Sequence, residues 1–297
     1  MGTPEPMVRS EPAEAKGAFT HITTQIVYRP EDNPFQTVIV DITHRCNMHC
    51  ANCYIPNRTM PDMNIDWMCG ILARLPSRAR IRLAGAEPTV RHDLPDVIRR
   101  VRECGHIPLL LTNGLKLADR KYVRKLKRAG LRSVYLSFNG GFDDDVYEII
   151  DEARCAAPKA QALDNLCAEN MYVALGMILV RGLNEYHPRP VLGYIRDRRQ
   201  VYEYHLRSVG RFGRYMNTDP FGLGELISIF AKNAGIDEAW IATHKQDHES
   251  FVDFKIGKLK IQLTQWPDLG SPRRGRLAPD GTIQPFFEHV IANEGGY

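Results

Sequence analysis

Thr37-Val-Ile-Val-Asp-Ile42, an apolar run of strand character, leads directly into Cys46-Asn-Met-His-Cys50-Ala-Asn-Cys53. Three thiols separated by three and two residues can converge on one metal centre, yet they leave a four-iron cluster one protein ligand short. An iron without a protein ligand is an open coordination site. Open sites support chemistry, as the contrast between closed structural and open catalytic zinc sites shows.

The rest of the composition limits what such a centre can serve. At 297 residues, with 43% hydrophobic and 25% charged side chains, the chain reads as an ordinary globular protein with a large core. That length is compatible with a single α/β barrel of roughly 250 residues. No apolar run approaches the roughly 20 residues of a membrane helix. The N-terminus lacks the apolar segment of a secretory signal, so a cytoplasmic, reducing location is expected, with the seven cysteines as thiols or metal ligands. A formal net charge of +4 is too mild to indicate nucleic acid.

Outward from the cysteines, apolar strand-like runs alternate with amphipathic helical stretches. Strands are expected at 37–42, 79–84, 108–112, 133–138, 173–180 and 202–207, and helices at 65–75, 94–104, 119–129, 161–169 and 190–199. Asn64 and Asp93 are candidate N-caps, and Gly105 and Gly130 candidate C-terminal stops. Repeated βα units demand a parallel sheet. The expected fold is α/β, a partial (β/α)6 TIM-like barrel over 18–215, with a small C-terminal extension over 216–297. Residues 1–17, poor in large apolar side chains, read as a disordered leader, and 19–28 as an edge strand. In the extension, a helix at 223–234 precedes a polar stretch at 237–250. Strands are expected at 251–256 and 259–263, a turn-rich loop at 266–279, and a last strand or cap at 282–290. This tail reads as a lid or flank without its own core.

Candidate site residues fall at strand ends, where barrels carry their sites. Leu83-Ala-Gly85-Ala86-Glu87-Pro88-Thr89 ends the second core strand, and its small residues permit close backbone approach. Thr112-Asn113-Gly114 ends the third, where turn residues satisfying their own backbone are an equal alternative, and Ser137-Phe-Asn139-Gly140 ends the fourth. The fifth strand carries Ile178 and leads to Asn184. After the sixth, Arg207, Arg211 and Arg214 could offer planar forks to a carboxylate or phosphate, or pair on the surface. Cys155 is a candidate hydrogen-atom donor. Trp266-Pro-Asp, Arg273-Arg-Gly-Arg and Pro285-Phe-Phe-Glu-His289 could close the barrel mouth or pack into the core.

The triad and these segments, in this order, resemble the radical S-adenosyl-L-methionine (radical SAM) superfamily over roughly 35–214. The resemblance implies that Cys46, Cys50 and Cys53 hold one four-iron, four-sulfur (4Fe-4S) cluster and that SAM chelates the fourth iron. Reductive cleavage of SAM would then give a 5'-deoxyadenosyl radical that abstracts hydrogen from substrate, with an electron donor such as flavodoxin or ferredoxin. By the same resemblance Tyr54, Gly85, Ala86, Glu87, Pro88, Asn113, Ser137, Asn139, Ile178, Asn184 and Arg207 lie around SAM, and Arg211 and Arg214 face substrate. Two departures stand out: Asn52 precedes the third cysteine where an aromatic is common, and Ala86 replaces a glycine of the Gly-Gly-Glu segment. No cysteine follows Cys167, so an auxiliary cluster is not expected. The expected substrate is a small anionic metabolite: a carboxylate, phosphate or sugar nucleotide. A peptide-modifying maturase and a non-catalytic zinc protein completed by His44 or His49 remain open alternatives.

Overall fold

The computed structural model describes residues 7–11, 23–53, 55, 58–211, 213–215, 217–266 and 274–285. A two-stranded antiparallel pair, β1 (Met7–Glu11) and β2 (Thr23–Val27), comes first. Met7–Glu11 lies in the stretch expected to be a disordered leader, and its backbone groups are paired instead. The core follows as β3 (Thr37–Thr43), α1 (Ile65–Leu72), β4 (Arg80–Gly85), α2 (Leu94–Glu103), β5 (Ile107–Thr112), α3 (Arg120–Ala129) and β6 (Ser133–Ser137). It continues with α4 (Asp144–Asp151), α5 (Ala156–Ala168), β7 (Tyr172–Leu179), α6 (Pro188–Ile195) and β8 (Val201–Ser208).

Strands β3 to β8 pair in sequential order, each parallel to the next. This is the expected partial barrel, and the sheet does not close on itself. Strand positions alternate between two environments. Ile81, Leu83, Leu110, Val134 and Leu136 are fully buried in the layer shared with the helices. Leu109, Tyr135 and Ala174 form a smaller apolar cluster that does not belong to that layer. Helix ends follow local chemistry. Asn64 Oδ1 accepts from Trp67 N at 2.9 Å, and Gly130 takes the left-handed conformation that ends α3. Asp93 does not cap α2 with its side chain; its carboxylate is held by Arg91 at 2.7 and 2.8 Å.

The tail adds α7 (Leu223–Ala234), α8 (Glu238–His244), β9 (Gln246–Asp247), β10 (Phe251–Ile256), β11 (Leu259–Thr264), β12 (Arg274–Leu277) and β13 (Ile283–Pro285). Strand β11 pairs parallel with β8, and β12 pairs parallel with β3, so tail strands extend the barrel sheet on both sides. The expected loop at 266–279 is therefore corrected at its C-terminal end, where β12 satisfies the exposed edge of β3. Phe230, Ile241, Val252 and Phe254 belong to the same apolar cluster as the barrel helices. None of the described helices is long and apolar enough to cross a membrane.

Candidate active site

The cysteine loop leaves β3 and returns to α1, and its base is fastened by polar contacts. Met63 N donates to Ile42 O at 3.0 Å, Thr43 Oγ1 donates to Asp62 at 2.6 Å, and buried Arg91 donates to Ile42 O and Met63 O at 2.7 and 2.9 Å. Its middle is held by Ala51 N donating to Ile150 O at 2.9 Å and Arg214 N donating to Ala51 O at 3.0 Å. A long loop carries precise chemistry only when supported in this way.

Cys46, Cys50 and Cys53 all line one cavity of about 260 Å3. Arg58 Nη2 donates to Cys53 Sγ at 3.0 Å, and Met48 N donates to Cys46 Sγ at 3.4 Å. Both donors suit sulfur that carries negative charge. Burial first, and the Asp151 carboxylate second, push the Cys50 thiol up. No three His, Cys, Asp or Glu side chains among the described residues are arranged around a single ion. A cluster asks for something else, because each thiolate binds a different iron. The donor set, three thiols on one cavity wall with cationic and N–H donors beside them, fits such a group.

The turn after β4 forms the next wall. Gly85 has φ +123°, and a Cβ there would collide with Thr43 O, so glycine is required. Ala86 is absent from the positive-φ residues, so the substitution of the second glycine carries no backbone strain. Glu87 is 1% exposed. Its Oε1 accepts from Thr89 N at 3.1 Å, Thr89 Oγ1 at 2.5 Å and Thr112 Oγ1 at 2.6 Å, while Oε2 accepts from Asn113 N at 2.7 Å. The carboxylate thereby ties the ends of β4 and β5 together. Asn113 Nδ2 reaches Asn47 in the cysteine loop at 2.8 Å.

At the end of β6, Asn139 donates to Asp151 Oδ1 at 2.8 Å and accepts from Ile178 N at 3.2 Å. Asp151 in turn meets Lys159 Nζ at 2.8 Å, with side chains 2% and 0% exposed. Lys159 Nζ also donates to Ser137 O at 3.2 Å and sits 4.7 Å from the Tyr147 ring centroid. Burial disfavours the ammonium, but Asp151 and the neighbouring thiols outweigh it and hold Lys159 above its ordinary value. Asp151, Lys159, Asn139 and Ser137 all border the cavity.

Of the sequence-derived candidates, Gly85, Ala86, Glu87, Asn113, Ser137, Asn139, Ile178 and Arg207 line the cavity with the cysteines. Pro88 is buried in the turn behind Glu87 and does not line it. Asn184 is also set back: fully buried, it donates to Asn139 O and Ile178 O at 3.1 and 2.8 Å, clamping β7 to the β6 turn. Cys155 is buried among Met48, Tyr147 and Ala156, and burial pushes its thiol up to about 11. It is not among the residues that line the cavity. Arg211 is exposed and outside the cavity, and Arg214 is exposed and paired with Glu152, so neither faces a site there. Tyr54, and the sequence candidates at 267–273 and 286–289, lie outside the described residues.

The structure brings forward residues that motif reading passed over, Arg58, Arg82, Tyr135, Asp151, Lys159 and His205, and sets Arg274 of the late basic segment beside them. Arg82 carried a signal, since an arginine between Ile81 and Leu83 interrupts a strand that should read as an apolar run. Tyr135 reaches over Gly176, whose missing side chain makes the room, and its hydroxyl lies 3.3 Å from His205 Nδ1.

A sequence model of the radical SAM superfamily matches residues 40–195, which hold the cysteine loop and the turns after β4, β5 and β6. The 7,8-dihydro-6-hydroxymethylpterin dimethyltransferase of Methanocaldococcus jannaschii is 32% identical over 166 residues, or 52% of this chain and 32% of the relative. A probable GTP 3',8-cyclase of Pyrococcus abyssi is 29% identical over 157 residues, or 51% of this chain and 50% of the relative. The chain thus spans about a third to a half of the length of these curated relatives. Among solved structures, Streptococcus suis SuiB bound to S-adenosylmethionine superposes with a TM-score of 0.63 at 13% identity, over 88% of this chain and 61% of SuiB. That likeness is one of fold. The cofactors of the matching family are a 4Fe-4S cluster and SAM, and the donor set of the cysteine wall described above fits the first. By its sequence match and by the site at its strand ends, this chain belongs to the radical SAM superfamily.

Proposed function

We propose that this chain abstracts a hydrogen atom from a small metabolite bearing an anionic group. The observation that carries the reading is the sharing of one cavity by the three cysteines, the strand-end turns and Arg207. A volume of about 260 Å3 lies just below the range of ligand pockets, roughly 300–1,000 Å3, and has no room for a folded partner. When bound, the cluster and SAM supply a 5'-deoxyadenosyl radical.

The chain's own residues bind, orient and shield. Cys46, Cys50 and Cys53 would hold the cluster at one end of the cavity. The bare backbone at Gly85 and the turn at Ala86 offer carbonyls to the SAM ammonium. Ile178 and Trp266 give apolar walls that exclude water from a reactive carbon radical. Asn139 and Glu87, whose polar atoms are already engaged, position these walls. An electron donor of the flavodoxin or ferredoxin kind completes the reading.

Anaerobic reconstitution with iron and sulfide, then SAM and dithionite, tests it through 5'-deoxyadenosine measured by mass spectrometry. The parent protein should form it, and a Cys46→Ala, Cys50→Ala, Cys53→Ala variant should not. Deuterated candidate metabolites should pass deuterium to 5'-deoxyadenosine only for the true substrate. Equal yields from parent and triple variant would overturn the proposal.

A further inference from the structure

Three arginines on three separate strands enter the same cavity: Arg82 on β4, Arg207 on β8 and Arg274 on β12. Arg82 stands between Ile81 and Leu83, both fully buried against the helices, so its own side chain points to the barrel interior. Placing guanidinium groups there is costly unless opposite charge and hydrogen-bond acceptors meet them. The described residues meet that need only in part. The Nε atoms of Arg82 and Arg207 are buried and have no hydrogen-bond partner among the described residues. Arg276 pairs with Asp41 Oδ2, Asp41 Oδ1 is buried without a hydrogen-bond partner among the described residues, and Glu203 is the carboxylate that acts on Arg82.

His205 sits amid this charge. Burial first, then Arg207, Arg274, Arg82 and Lys260, drive its imidazole well below the ordinary value, so it is neutral and adds a hydrogen-bonding surface without cancelling the excess. Thr264 Oγ1 lies 2.7 Å from its Nε2, and the Tyr135 hydroxyl is at its Nδ1. Arg82 is also set back from the cysteine end. It precedes Gly85 by three residues, about 10 Å along the strand at roughly 3.3 Å per residue.

We propose that Arg82, Arg207 and Arg274 form a phosphate-binding subsite inside the barrel. The substrate of the reaction proposed above, on which this inference rests for the word substrate, is then a phosphorylated small metabolite. Its phosphate lies on the arginines and its reacting carbon points toward the cysteine end. A phosphate monoester brings close to two negative charges and three terminal oxygens, which match several guanidinium forks. A lone carboxylate offers one charge and two oxygens, enough for one fork.

Calorimetric titration of the anaerobically reconstituted protein with inorganic phosphate, at low ionic strength and with iron content confirmed, tests the subsite directly. The parent should bind saturably. Arg82→Gln and Arg274→Gln should each weaken binding by at least about tenfold, the scale of one lost charge-assisted contact. Arg211→Gln, exposed and outside the cavity, should match the parent. Arg274→Gln, on the short strand β12, keeps the test open if Arg82→Gln does not fold. Absence of saturable binding by the parent, or binding unchanged in both variants, overturns the proposal. So does acetate binding as tightly as phosphate, which marks a carboxylate site, or displacement of phosphate by SAM, which assigns the arginines to the SAM carboxylate. Phosphate binding that passes these tests in a protein forming no 5'-deoxyadenosine sinks the reaction and leaves the subsite standing. The converse result sinks the subsite alone.

Discussion

Replacing Lys159 by Met should destabilise the chain by several kcal/mol, and the cause can be separated from simple loss of packing. The Lys159 ammonium and Asp151 carboxylate meet at 2.8 Å with side chains 0% and 2% exposed. Methionine fills a similar volume but leaves the carboxylate with Asn139 Nδ2 as its remaining side-chain donor among the described residues. Removing one partner of such a pair costs about 3–5 kcal/mol, because an uncompensated charge stays buried. With a urea slope of about 3 kcal/mol/M, the midpoint should fall by about 1–2 M. The assay is equilibrium urea unfolding of the cluster-free chain with thiol reductant and chelator present, so that iron loss does not contribute. An Asp151→Asn, Lys159→Met double variant should recover at least about 2 kcal/mol, since replacing a whole buried pair is often neutral. A single variant within about 1 kcal/mol of the parent refutes the reasoning, as does a double variant less stable than the single.

Further perturbations test other parts of the site. Gly85→Ala should cost about 1–3 kcal/mol by urea unfolding, because its φ of +123° and its contact with Thr43 O both exclude a Cβ; an unchanged midpoint contradicts the turn geometry. Glu87→Gln should cost about 1–3 kcal/mol, because an amide NH2 must face a group that is itself a donor. A neutral result there means that the carboxylate is not the tie between β4 and β5. Burial and the surrounding arginines lower His205, so the unfolded chain takes up a proton below about pH 6.5 that the folded chain does not. Stability held by the neutral imidazole is therefore present above that pH and lost as pH falls below it. His205→Gln should flatten the stability profile between about pH 7 and 5, and parallel profiles would count against the assignment.

The parts of this molecule legible in its sequence are those where local chemistry and global structure agree. The runs that became β3 to β8 announce themselves because the strand positions that pack against the helices are apolar, even where Arg82, Glu203, His205 and Arg207 occupy the alternate positions. The cysteine spacing and the Gly85 turn are equally local. Helix α4 gives little sequence signal, having only eight residues and an Asp143 cap at the start of a run of three aspartates. The tail departs from the sequence expectation where pairing is non-local: β12 lies more than two hundred residues from β3, its parallel partner. The arginine loop drew attention to Arg211 and Arg214 because it is compact in sequence. The arginines that share the cavity are scattered over β4, β8 and β12, and proximity of that kind is a property of the sheet. Asp151 and Lys159 give no periodic signal either, for they sit on different helices and meet across the break between them.

The central claim is that Cys46, Cys50 and Cys53 hold a cluster whose fourth iron is open to SAM from the cavity. Electron paramagnetic resonance of the reconstituted, reduced protein, recorded with and without SAM alongside iron, sulfide and zinc analysis, tests it most directly. The account predicts about four irons per chain, a 4Fe-4S signal that changes when SAM is added, and loss of both in the triple alanine variant. Zinc in place of iron and sulfide, or a cluster signal indifferent to SAM, would contradict it.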